Sequence, residues 1–82
     1  MRITRFSGNA NDDYEGLSAP LRKTADKQFG LLRGDIRHPS LHAKKYDESI
    51  GLWQARINRS WRFYFLIAHD AYYIVSIRKH PK

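Results

Sequence analysis

Arg56, Arg62, Arg78 and His80, in the last third of this 82-residue chain, have the types and the spacing to act on a phosphate. A phosphodiester undergoing cleavage gathers negative charge on its nonbridging oxygens. Fixed guanidinium groups stabilise that charge and hold the phosphate by forked hydrogen bonds. A neighbouring histidine exchanges protons near neutral pH, as a base toward a ribose 2′-OH or as an acid toward the leaving 5′-oxygen. Those roles together describe metal-free RNA cleavage. The same residues also fit a solvated basic sheet face whose charges confer only solubility.

The element that must position them is the stretch from Leu52 to Lys79, which alternates apolar and polar residues for almost thirty positions, the period of strands that bury one face. It reads as an antiparallel meander of Leu52 to Ile57, Trp61 to Ala68 and Ala71 to Lys79. Trp53, Ala55, Ile57, Trp61, Phe63, Phe65, Ile67, Tyr73, Val75 and Ile77 fall on odd positions and are the expected core face. A slip of one residue would turn every side chain over, so parity selects the turns. Asn58-Arg59-Ser60 as the first turn places Arg56 opposite Arg62. A second turn at Ala68-His69-Asp70 pairs Ile67 with Ala71 and puts Arg62 opposite Ser76. The even face then gathers Gln54, Arg56, Arg62, Tyr64, Tyr72, Ser76, Arg78 and His80.

Length allows one domain, residues 1–82, with a single small core. There is no cysteine, so packing alone must supply the stability. Neither a membrane span nor a signal-type segment is found, and a cytoplasmic protein is expected. The net charge of +7 is uneven: residues 49–82 hold six Lys/Arg against Asp70 alone, whereas residues 1–48 hold nine against seven Asp/Glu. The basic half is the sheet, and its partners are expected to be nucleic acid or an acidic protein in preference to lipid, since the charges alternate along strands.

Met1 to Phe6 reads as a short strand with Ile3 and Phe6 inward. Ser7 to Asn11 is turn-forming and supplies caps. Tyr14, Leu17 and Leu21 recur at helical spacing; a first helix is expected to end near Ser18, which caps a second with Pro20 in its first turn. In that helix Leu21, Ala25, Phe29, Leu32 and Ile36 form an apolar stripe for the sheet, stopping near Gly34 and Pro39. The segment from His38 to Gly51 reads as a connection, with Leu41 and Tyr46 anchored in the core.

Trp53 and Trp61 are expected in the core by parity, and Tyr64 and Tyr72 are the better candidates for contacting a base or partner. His38 and His42 are four apart, but Pro39 interrupts a helix there and no other ligand completes a set, so neither a metal nor any cofactor is expected. Lys44 and Lys45 are suited to tracking an RNA backbone.

The segment ADKQFGLLRGDIRHPSLHAKK, followed by LWQARINRSWRFYF and by a strand ending IRKH, resembles toxins of the RelE/ParE superfamily of bacterial toxin–antitoxin systems, from about Tyr14 onward. The resemblance implies an α+β fold of the microbial RNase-like kind, with two N-terminal helices on a small antiparallel sheet. It also implies a cognate antitoxin with an acidic toxin-binding segment, and, in the RelE-like branch, ribosome-dependent mRNA cleavage. On that basis Arg62 in WRFYF would stabilise the scissile phosphate, Arg56 would bind it, and His80 would transfer protons. Lys44, Lys45, Arg59, Arg78 and Lys79 would engage RNA backbone. The chain departs from the family where Pro81 and Lys82 follow His80 in place of the Tyr of many members. It departs again where Ser40 and Arg59-Ser60 stand at positions that carry acids in relatives, which leaves the general base unassigned. A ParE-like gyrase inhibitor, or a silent module that only binds its antitoxin, is the alternative.

Overall fold

A computed structural model describes residues 2–80. Met1, Pro81 and Lys82 lie outside the described residues, and with them the readings that concern the first residue and the close of the chain.

The sheet grows outward from one hairpin, β3 (Leu52–Arg56) with β4 (Trp61–Ile67). Asn58 shapes its turn: Oδ1 accepts from the amides of Ser60 and Trp61 at 2.8 and 2.9 Å, and the Ile57 amide closes the loop on the Trp61 carbonyl at 3.0 Å. The three-residue connection sets Arg56 opposite Arg62, as parity requires.

The next hairpin, β4 with β5 (Ala71–Lys79), departs from the expected register. Ala68 donates to the Ala71 carbonyl at 2.8 Å, so the turn is His69-Asp70 and Ile67 faces Tyr72, not Ala71. Between Tyr64 and Phe65 the register shifts by one, since Phe65 faces Ile74 and Tyr64 faces Ser76, leaving Val75 as the extra residue of a bulge. The bulge changes the parity of β5 halfway along. Tyr72 and Ile74 therefore point into the core, and Tyr73 points out. Beyond the bulge Ile77 points in and Arg78, not Ser76, stands opposite Arg62. The assignment of Tyr72 to the outer face is thus corrected, because it packs edge-on against Phe65 at 5.7 Å.

Two further strands complete a mixed five-stranded sheet of order β1-β5-β4-β3-β2. β1 (Ile3–Phe6) runs parallel to β5, from Ile3 beside Ala71 to Phe6 beside Ile74, so the sheet is not wholly antiparallel. Phe6 turns inward, but Ile3 is 46% exposed, because alternation puts Thr4 and Phe6 on one face and Ile3 on the other. β2 (Lys44–Asp47) adds to the free edge of β3 from within the expected connection. Leu41 is buried there, whereas Tyr46 is exposed on the outer face.

The helices cover only the core face. Ser7 caps α1 (Gly8–Glu15) by accepting from the Ala10 amide at 3.0 Å, so most of the expected turn is helical. Ser18 caps α2 (Ala19–Gly34) by accepting from the Leu21 amide, with Pro20 in the first turn. Ala25, Phe29 and Leu32 are buried and Leu21 and Ile36 pack at the margin. Phe29 meets Phe6 and Phe63 edge-on at 5.3 and 5.0 Å, which locks helix to sheet. Among the described residues, no helix is long and apolar enough to cross a membrane.

Where β1 ends, the edge of β5 would be open. α1 closes it: Ser7 donates its hydroxyl to the Val75 carbonyl at 3.0 Å, and the Ile77 amide donates to Asp13 Oδ2 at 2.9 Å. Asp13→Ala leaves that amide without its acceptor and is expected to lower stability by about 1.5–3 kcal/mol in urea denaturation, with Asp13→Asn losing less.

Candidate active site on the open sheet face

The face of the sheet away from the helices carries Arg56, Arg62 and Arg78 abreast on three adjacent strands. Neighbouring strands lie about 4.8 Å apart, so this is a ladder of like charges held by backbone pairing. One end of the ladder opens into a cleft of about 360 Å³ lined by His42, Lys44, Gln54, Arg56, Arg62 and His80. The His80 amide donates to the Ser60 carbonyl at 2.6 Å, which ties the residue to the β3–β4 turn.

Arg62 is the most enclosed of the three arginines, only 6% exposed. Its Nη1 donates to the carbonyls of Asn58, Arg59 and Trp61 at 2.8, 3.2 and 3.2 Å, capping the turn from within the sheet. Burial, and then the charge of Arg56, lower its affinity for its proton, yet a guanidinium stays charged at any physiological pH. Burial makes that charge effective, since it is held in fixed orientation away from bulk water. Arg62 therefore serves the fold as well as the face.

The remaining expected residues divide. Lys44 lines the cleft, being opposite Gln54 on the outer face. Its neighbour Lys45 faces the other way, with its ammonium 5.6 Å above the ring of Trp53. Arg59 and Lys79 sit beside the ladder and, with Ser60 and His80, line an adjoining hollow. Trp53 and Trp61 pack against the core, Trp53 stacking on Phe65 at 6.1 Å. Tyr64 lies on the outer face one step beyond Arg62.

Two residues of the site were not selected from the sequence. His42 ends the 3₁₀ turn Pro39–Leu41 with φ of 47°, the left-handed region that histidine enters more readily than most side chains. This conformation brings it to the cleft wall, while His38 is engaged locally, Nδ1 accepting from the Ser40 amide at 3.2 Å. A histidine just after a proline-led turn was the available signal. Gln28 is 5% exposed, and its Nε2 donates to the Ser40 and Arg56 carbonyls at 3.2 and 2.9 Å. It bolts α2 both to the turn before His42 and to the end of β3. Its signal was its place between Ala25 and Leu32 on the buried arc of the helix.

No family model matches the sequence, and no curated protein matches it in sequence. The solved structures do match: the chain has the fold of RelE/ParE-superfamily toxins. It is similar to the archaeal RelE–RelB complex from Pyrococcus horikoshii, with a TM-score of 0.81 at 9% identity over 99% of this chain and 97% of that one. It is also similar to the YoeB dimer from Staphylococcus aureus, at 0.78 and 20% over 99% and 98%. A RelBE toxin–antitoxin complex from Mycobacterium tuberculosis matches at 0.75 and 24%, over 98% of both chains.

Gln28→Met keeps the volume and removes both donors, and is expected to cost about 2–3 kcal/mol in urea denaturation, with protection from hydrogen exchange lost first around Ser40 and Arg56. A second expectation concerns Tyr64, whose phenol is pushed above its ordinary value by burial and then by the adjacent Tyr46. The folded state favours the neutral phenol, so this contribution to stability is complete below the ordinary value near pH 10 and disappears as pH rises through the raised one. Wild type should lose stability more steeply above about pH 10 than Tyr64→Phe, as followed by denaturation at stepped pH.

Proposed function

We propose that this chain is the toxin of a toxin–antitoxin pair and acts as a ribosome-dependent mRNA endonuclease that needs no metal. The observation that carries the proposal is the ladder Arg56, Arg62 and Arg78 opening onto a cleft that two histidines share. Arg56 and Arg62 hold the scissile phosphate and take up the charge that grows on its nonbridging oxygens. One imidazole accepts the proton of the ribose 2′-OH as its oxygen attacks phosphorus. The other delivers a proton to the 5′-oxygen as the P–O5′ bond breaks, leaving a 2′,3′-cyclic phosphate. His80 and His42 are assigned this pair of roles, which supplies a general base without an acidic side chain. Lys44, Arg59, Arg78 and Lys79 draw in the RNA backbone around them.

The partner that restrains this surface is a cognate antitoxin with an acidic segment, as charge complementarity with the ladder requires. Of the neighbours in fold, the Mycobacterium structure is by name a toxin–antitoxin complex and the Pyrococcus structure a RelE–RelB complex. With mRNA on the ribosome as target, the protein works in the cytoplasm.

Because Arg62 also caps a turn, Arg62→Ala removes structure and charge together, and the cleaner variants are Arg56→Ala and His42→Asn, the latter keeping a residue that tolerates positive φ. Each is expected to lower cleavage at least about a hundredfold while the far-ultraviolet circular dichroism stays that of wild type. The test is to induce each variant in a bacterial host and map new mRNA 5′ ends within minutes. Ends inside translated codons that vanish in Arg56→Ala, His42→Asn and His80→Ala support the nuclease. Growth arrest without new ends overturns it in favour of gyrase inhibition, and no arrest leaves an antitoxin-binding module.

A further inference from the structure

The outer face has a second feature beside the ladder. Tyr46 on β2 and Tyr64 on β4 meet edge to face, with ring centroids 4.9 Å apart and planes at 68°. Tyr64 is half-buried and bedded beside Gln54 and Ser76, its partners on β3 and β5. Tyr46 is 60% exposed, so its ring is fixed by Tyr64 and still offers open aromatic surface. A solvent-facing aromatic held in one orientation by another is a poor way to fill a core and a good way to present a π-face.

Position gives the pair its meaning. Tyr64 follows Arg62 by two residues on the same strand and face, about 6.6–6.8 Å along at the rise of a strand. That separation is comparable to the reach from a backbone phosphate to its own base. Tyr73, the other exposed aromatic of this face, stands one row further off, opposite Leu66. The polar groups at the platform edge, Gln54 and Lys44, line the cleft with Arg56 and Arg62, so platform and ladder are continuous.

We infer that Tyr46 and Tyr64 form a stacking platform for one unstacked base of single-stranded RNA whose phosphate lies on the arginine ladder. The inference rests on the endonuclease reading above and adds what that reading lacks, a contact to the base. It also makes single-stranded RNA the ligand, because a paired base cannot present its face to a ring. Every base has a π-face, so the platform anchors a base without dictating its identity.

The test measures binding apart from cleavage, using the full chain and a short, fully 2′-O-methylated RNA, which cannot be cut through its 2′-oxygens. A 2-aminopurine at one position reports stacking, and a matched oligonucleotide lacks that base. Tyr46→Ala should weaken binding of the base-bearing RNA roughly five- to a hundredfold and abolish 2-aminopurine quenching, with the salt dependence of binding unchanged. The abasic oligonucleotide should bind wild type and Tyr46→Ala alike. Tyr46→Phe, which keeps the ring, should recover affinity and quenching. Affinity of Tyr46→Ala within twofold of wild type overturns the platform, and so does equal binding of base-bearing and abasic RNA by wild type. The parent reading fails separately: Arg56→Ala that leaves the salt dependence intact removes the phosphate ladder, whereas wild type that binds neither oligonucleotide overturns the platform alone, the endonuclease reading being decided by the mapped 5′ ends.

Discussion

Like charges directly opposite one another on neighbouring strands repel, and this protein sets three guanidinium groups in such a line. Nothing local favours the arrangement; it exists because the other face of the same strands is worth more. Ala55, Phe63, Phe65, Ile74 and Ile77 are all buried there beneath the two helices, and their alternation with the arginines means that neither face can be reset without the other. Turn carbonyls gathered around Nη1 of Arg62 offset part of the repulsion in the middle of the ladder. The line of arginines is thus held in place by burial elsewhere in the fold, the kind of preorganisation that electrostatic stabilisation of a phosphate would demand.

The bulge at Val75 is the second half of that design. Continued in the register of its first turn, β5 would have placed Ile77 opposite Arg62; the extra residue moves Arg78 there and returns Ile77 to the core. Bulges re-aim side chains in this way near functional surfaces. Gln28 does comparable work from the helix layer, joining the ends of two segments that bear Arg56 and His42. The open face is therefore positioned from behind, by groups that no ligand would touch.

Much of this was legible in the chain. Alternation from Leu52 onward located β3, β4 and β5 almost to the residue, and parity gave the Arg56–Arg62 register, because a three-residue turn with Asn58 in it leaves no other solution. Ser18, Pro20 and the Leu21 to Ile36 stripe located α2 for equally local reasons. What escaped the reading was non-local. A bulge costs the pattern only one residue, so the run Tyr72-Tyr73-Ile74-Val75, apolar on both parities, gave no sign of where the face changed. β1 and β2 are edge strands of four residues whose pairing comes from sheet edges waiting for them, not from their own periodicity. Gln28, His42 and the packing of Lys45 over Trp53 depend on which element lies alongside, which spacing within one element does not encode.

β5 is bonded to β4 on one side and to β1 on the other, so residues 3–6 find their partners only at residues 71–74. Nearly the whole chain is a loop closed by that parallel pairing, and the stripe of α2 has little to pack against until the later strands are in place. Such a topology has a high contact order, folds late and slowly for its size, and discourages stable fragments. A polypeptide stopped short of Ala71 would hold Arg56 and Arg62 in its sequence without assembling the ladder. The line of three arginines is then a property of the completed fold alone.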